Sequence, residues 1–116
     1  QKYTPRLDVL ARVPAKVRFV SCEPLLAAID VRRWLGYTHW YIVGGESGPG
    51  ARPMVLEWAR DIVEQCQAVG VPVFVKQDSG TRPGQQGRIP DDLWAHKDLP
   101  LCAAHFKAKR SLLYVI

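Results

Sequence analysis

Three short polar clusters hold the residues of this sequence that could do chemistry. Ser21-Cys22-Glu23 follows one apolar run, Gly44-Gly45-Glu46-Ser47 follows a second, and Lys76-Gln77 follows a third. Two carboxylates and one ammonium make the reactive set, so Glu23, Glu46 and Lys76 are the candidate catalytic residues. Glu23 and Glu46 could serve as acid and base or receive a ligand's amino group. Lys76 could pair with either, or meet a carboxylate or phosphate. Gly44, Gly45, Ser47, Arg52 and Gln77 are the candidate ligand-binding residues beside them. The same charges have a plainer use as a structural Lys–Glu ion pair.

Other chemistries find less support. The glycines at 44, 45, 48 and 50 fit neither GxGxxG nor GxxxxGK[ST], although backbone amides in that stretch could hold an anion. Ser47 lacks a partner pattern, and none of His39, His96 and His105 falls at a predicted strand end, which disfavours a Ser-His-Asp triad. Cys22, Cys66 and Cys102 show no CxxC spacing, so they argue for no metal site.

The clusters need elements to position them. Residues 17–22, 39–43 and 71–75 are β-branched and aromatic runs, which predicts three strands. Parallel pairing would bring all three clusters to one rim, where α/β proteins bind ligands. Residues 54–69 predict the main helix: Leu56, Ala59, Ile62, Val63, Cys66 and Val69 recur at three- and four-residue steps. Pro53 suits its first turn and Gly70 its end. Asp30 predicts an N-cap for a short helix at 31–35. Residues 8–12 allow one helical turn before Pro14, and Asp91 or Asp92 would cap a short turn through Trp94. Residues 79–90, with three glycines and two prolines, predict a long loop. Beyond it, Leu101, Ala104, Ala108 and Leu112 would line a helix within 99–116.

The order strand, helix, strand, helix, strand implies an α/β fold of three parallel strands with crossover helices. With 116 residues, 47% hydrophobic and 23% charged, the chain is one globular domain. It contains no apolar run long enough to span a membrane and no visible signal peptide, and its odd thiol count fits a reducing cytoplasm. The +5 net charge permits weak attraction to nucleic acid. The first residue is Gln1 rather than Met, which reads as a piece of something longer.

The strings Val20-Ser21-Cys22-Glu23-Pro24-Leu25-Leu26, Val43-Gly44-Gly45-Glu46-Ser47-Gly48-Pro49-Gly50-Ala51-Arg52-Pro53-Met54 and Phe74-Val75-Lys76-Gln77 resemble one known family. It is the phage- and prophage-associated family named after phage gene products thirty-seven and sixty-eight, of unknown function. The resemblance covers about residues 10 to 98. Family members look like radical S-adenosylmethionine proteins with a partial or complete (β/α) barrel. The resemblance therefore implies the last part of such a barrel, without the cysteine-rich amino-terminal half. S-adenosylmethionine and an iron–sulfur cluster are implied only for a full-length relative, and no cofactor is expected in this chain. Gly44-Gly45-Glu46 matches the superfamily's Gly-Gly-Glu string, but it follows a late strand rather than an early one, so its role is not carried over.

Two functions follow as expectations. The chain is either the carboxyl-terminal piece of a radical-SAM-like protein, supplying rim residues and not catalytic alone, or a small non-enzymatic module that binds a protein partner or nucleic acid. Three parallel strands cannot close a barrel. The sheet is therefore expected to self-associate, to meet a missing amino-terminal half, or to be completed by residues after Leu99.

Overall fold

The computed structural model describes residues 2–100 in full and the backbone of residues 111–115. In chain order the elements are α1 (Pro5–Ala11), β1 (Val17–Cys22), a 3₁₀ turn (Arg32–Trp34), β2 (Trp40–Gly44), α2 (Leu56–Ala68), β3 (Val73–Gln77), α3 (Asp91–Trp94) and β4 (Ser111–Val115). The strands form one parallel sheet in the order β3-β2-β1-β4. The fold is mixed α/β, with three parallel strands β1, β2 and β3 and helices between them. An open sheet of this kind fits part of a barrel.

Strand alternation gives the sheet two different faces. Val20, Cys22, Tyr41, Val43, Val73 and Val75 point to one side and join Ala59, Ile62, Val63 and Cys66 of α2 in the main core. Leu7 and Leu10 of α1 belong to the same core. The other side carries Phe19 and Ser21 of β1, Trp40 and Ile42 of β2, and Phe74 and Lys76 of β3, all lining an open cavity. Phe19 and Trp40 stand 5.4 Å apart, and Trp40 meets Phe74 edge-on at 6.4 Å.

The helix face is tied together by side chains. Gln65 of α2 accepts from Val31 N at 2.7 Å and donates to Ile29 O at 3.1 Å. α2 ends where Gly70 takes φ +73°, so that Gly70 N donates to Gln67 O and Val71 N to Cys66 O. At the opposite pole from the rim, the Arg18 guanidinium donates to the carbonyls of Val13, Ala15 and Tyr37. It thereby joins the turn before β1 to the turn before β2.

Both edges expected from three strands are covered. β4 pairs with β1, and residues 96–98 run antiparallel along β3: Val75 N donates to His96 O at 2.8 Å and Asp98 N to Val73 O at 3.1 Å.

Several boundaries differ from expectation. Residues 111–115 are a strand, not the end of a helix; pairing along β1 overrides the weak helical spacing that included Leu112. Leu101, Ala104 and Ala108 lie outside the described residues. The third strand begins at Val73 rather than at 71, because Pro72 has no N–H to donate and only its carbonyl joins the ladder, accepting from Tyr41 N. Lys76 and Gln77 therefore sit inside the strand. The segment at 31–35 is a 3₁₀ turn capped by Val31, although Asp30 still accepts from Arg32 N at 3.1 Å. α2 starts at Leu56, past Pro53, and Val69 is 62% exposed instead of closing the stripe. α1 is longer than the single turn expected.

Gly45 is where backbone meets backbone. A Cβ there would stand 2.7 Å from Ser79 Cα and closer still to its amide nitrogen. Gly45→Ala should cost about 2 kcal/mol of stability by forcing β2 and β3 apart. Gly36→Ala, where a Cβ meets nothing within 4 Å, should change it by less than about 0.5 kcal/mol. Urea midpoints of the two variants check this; equal midpoints would refute it.

Candidate functional site

The carboxyl ends of β1, β2 and β3 meet at one amide. Gln77 is fully buried on the helix face at the end of β3. Its Nε2 donates to Gly45 O at 2.7 Å and to Glu23 Oε1 at 3.0 Å, and its Oε1 accepts from Gly84 N at 2.9 Å. One side chain thus holds the end of β1, the turn after β2 and the loop after β3. Leu25 N donates to Gly44 O, and Gly45 N to Gln77 O, which locks the same ends through backbone.

Glu23 is the centre of the rim. Lys76 Nζ reaches both of its oxygens at 3.0 Å. The Glu23 side chain is 19% exposed and that of Lys76 45%, so the pair stands at the mouth of the cavity with the ammonium the more open partner. The expected convergence of Glu23 and Lys76 is present, and so is the ion pair offered as its plainer use.

Glu46 also lines the cavity, but its carboxylate is engaged elsewhere. Arg52 Nε and Nη2 meet its two oxygens at 2.8 and 3.0 Å, and Arg52 N donates at 2.9 Å. Those hydrogen bonds, side chain first and backbone second, lower the Glu46 carboxyl to about 2. Glu46 is thus held by Arg52 as an anion closing the turn after β2. Ser47 is exposed, and its backbone bridges Gly80 of the loop after β3. Gly44 and Gly45 are buried against the end of β3.

The loop at 79–90 is fastened by a pair that sequence reading missed. Asp78 is 2% exposed and accepts from Arg88 N, Nε and Nη2 at 2.8 to 2.9 Å. Arg88 also donates to Met54 O, and Ser79 Oγ accepts from Met54 N, so the loop grips the approach to α2. Burial pushes the Asp78 carboxyl up, but the Arg88 and backbone hydrogen bonds outweigh it and leave it lowered. Nothing in the spacing of Asp78 and Arg88 flags the pair, because a loop without periodicity hides its own contacts.

Two further missed residues flank the cavity. Lys97 Nζ sits 3.2 Å from the Trp94 ring centroid, 4.9 Å from that of Phe74, and donates to Val75 O. Burial lowers its pKa. Ser21, near the end of β1, points into the cavity between Phe19 and Glu23.

The two described thiols lie in the core. Cys22 and Cys66 are buried in the core on the helix face, and burial pushes Cys22 far up and Cys66 to about 12. Among the described residues no three His, Cys, Asp or Glu side chains converge as a metal site. Cys102 and His105 lie outside the described residues. Among the described residues no helix is long and apolar enough to cross a membrane.

A family described as "Protein of unknown function (DUF5131)" matches residues 1–108. The chain belongs to that family. No curated protein and no solved structure matches it. The three strands, the rim and the 79–90 loop all fall within the residues that define the family, and β4 falls beyond them.

Two outcomes follow. Gln77→Ala strands the buried Gly45 carbonyl and opens a void, and should destabilise by about 2–4 kcal/mol. Asp78 has a depressed folded pKa, so its stabilisation is present above the ordinary Asp value of about 3.9 and is lost as pH falls through the lower folded value. Asp78→Asn should cost about 2 kcal/mol at pH 7, with the gap to wild type narrowing in acid. Urea unfolding across pH checks both; a gap independent of pH would sink the second.

Proposed function

We propose that this chain forms the carboxyl-terminal part of a (β/α) barrel protein, phage-associated and radical-SAM-like, and that its rim contributes to that barrel's ligand site. The observation that supports this most is the division of the sheet. Helices cover one face, while the other opens on a cavity crowned by Glu23 and Lys76 at the strand ends. In (β/α) barrels the helix-free face lines the interior and the carboxyl rim holds the ligand. Glu23 and Lys76 are the groups on offer there, Gln77 positions them, and Glu46 with Arg52 shapes the adjoining turn.

Cluster chemistry does not belong to the described part of this chain, because its two described thiols face the core. In a longer relative the cysteine-rich half would supply the cluster, and S-adenosylmethionine would supply the radical. Glu23, Lys76 and their neighbours on the rim would bind and orient, in a cytoplasmic protein.

A second reading, a small nucleic-acid-binding module, draws on the distribution of charge. Lys2, Arg6, Arg12, Lys16, Arg18, Arg32 and Arg33 face only Asp8 and Asp30 in their two segments, a balance that equals the +5 of the whole chain. Arg33 pairs with Asp8 at 3.3 Å and Trp34 Nε1 donates to Asp8 at 2.9 Å, so α1 and the 3₁₀ turn form one basic surface.

The two readings separate in one pair of assays. A relative that carries the cysteine-rich half, reconstituted anaerobically, should bind iron and cleave S-adenosylmethionine reductively. Glu→Gln at the position matching Glu23 should slow its turnover at least about tenfold. A folded relative with neither iron nor cleavage would refute the barrel-enzyme reading. Salt-dependent binding of an oligonucleotide by this chain, in fluorescence anisotropy, would favour the module.

A further inference from the structure

The charges that line the open cavity do not balance. Glu23 is held by Lys76 at the rim, and Glu46 by Arg52 in the turn after β2, so both carboxylates are already neutralised. Lys97 lines the same cavity, and among the described residues its ammonium makes no salt bridge. Its partners are neutral: it donates to Val75 O and stands 3.2 Å from the Trp94 ring centroid and 4.9 Å from that of Phe74. These contacts solvate the ammonium without cancelling its charge. A charge drawn out of water is best stabilised by an opposite charge, and ring faces with one carbonyl offset only part of the cost. Burial lowers the Lys97 pKa, which is the residue of that cost.

The backbone fixes where this charge enters. Lys97 bridges Phe74 in antiparallel register, with Val75 N donating to His96 O on one side and Asp98 N to Val73 O on the other. Asp98 O also accepts from Trp40 Nε1 at 2.8 Å. Lys76 lies two residues beyond Phe74 in β3, on the same face. By register, the uncancelled charge comes in from the side wall, one layer below the neutral rim pair.

The wall around that layer is apolar. Ile42, Phe74 and Trp94 are half-buried there, and Leu99 is 59% exposed at its edge. Phe19 and Trp40 are buried beneath, packed on each other, and form the floor. The cavity's volume of about 990 Å³ suits a small organic molecule.

We infer that the cavity binds a small organic carboxylate with an apolar body, its carboxylate beside the Lys97 ammonium and its body against Ile42, Phe74 and Leu99. One excess positive charge matches a monoanion. A phosphate dianion would bring a second negative charge to an apolar wall, where the next cation, Lys76, is already taken by Glu23. An amine would meet like charge at Lys97. The inference rests on the barrel-rim reading and deepens it by naming the ligand class.

The test is calorimetric titration of the whole chain with phenylacetate and hexanoate. Inorganic phosphate, 2-phenylethylamine and 2-phenylethanol serve as the dianion, the cation and the neutral analogue. At least one carboxylate should bind at millimolar concentration, and phosphate and the amine should bind more weakly. Lys97→Met, which keeps the apolar stem and removes the charge, should weaken that carboxylate about tenfold and change 2-phenylethanol by less than about twofold. Circular dichroism establishes that the variant is folded. Should it fail to fold, intermolecular NOEs from the bound carboxylate to wild-type protein decide: contacts to the Phe74 and Trp94 rings support the inference, and contacts only to the basic surface of α1 overturn it. No carboxylate binding, phosphate or the amine binding as tightly, or an unchanged affinity in folded Lys97→Met would each overturn it. None of those results bears on iron binding or S-adenosylmethionine cleavage, which test the barrel reading separately.

Discussion

The buried amide of Gln77 is the interaction on which the site depends. Its three hydrogen bonds run to three different parts of the chain, and each partner would otherwise be a loop end free to wander. A neutral amide suits this role, because it donates to a carboxylate and a carbonyl while accepting from an N–H. A carboxylate in its place would repel Glu23, and an ammonium would have no acceptor to offer Gly84. Lys76, its neighbour in β3, faces the cavity because adjacent strand residues point to opposite sides. Two consecutive residues thus divide the work, one bracing Glu23 from behind and one meeting it in the open.

The sheet's two faces explain why the chemistry lies where it does. On the helix face, apolar side chains of α1, α2 and three strands make one continuous core, and thiols and the Tyr41 phenol are forced toward their neutral forms. The Thr38 hydroxyl donates to Trp34 O at 2.9 Å and meets the phenol oxygen at 3.1 Å, which leaves neither buried group alone. Among the described residues no helix packs on the open face, so aromatic rings and charged groups can stand in the same cavity. Exposed ion pairs such as Arg32–Asp30 contribute little to holding this arrangement, whereas the buried Asp78 anchors a whole loop.

Much of this was legible in the sequence, and the parts that were not share a cause. β1 was readable to the residue because a β-branched run meets Pro24. The stripe of α2 was readable because Ala59, Ile62, Val63 and Cys66 repeat on one face. The meeting of Glu23 with Lys76 followed from parallel strands alone. Asp78–Arg88, Lys97 over Trp94, and the 96–98 edge segment were not legible, because each depends on how an aperiodic loop returns to the sheet. The pairing of Glu46 with Arg52 was within reach, since both sit in one turn, but the sequence leaves open whether such charges face a ligand or each other. β4 was misread because helical spacing of four apolar residues is weak beside a neighbouring strand with an unfilled edge.

That last strand has a topological consequence. β4 lies outside the residues that define the family and occupies the far side of β1. In a closed barrel built on this sheet, that is the berth of the strand that precedes β1. Five residues of the chain's own tail stand there in parallel register. A strand arriving from another half could not simply dock; it would have to evict this understudy or settle beyond it. On the proposed barrel reading, β4 would act as a plug on strand exchange, and joining a larger assembly would require five residue pairs to unzip.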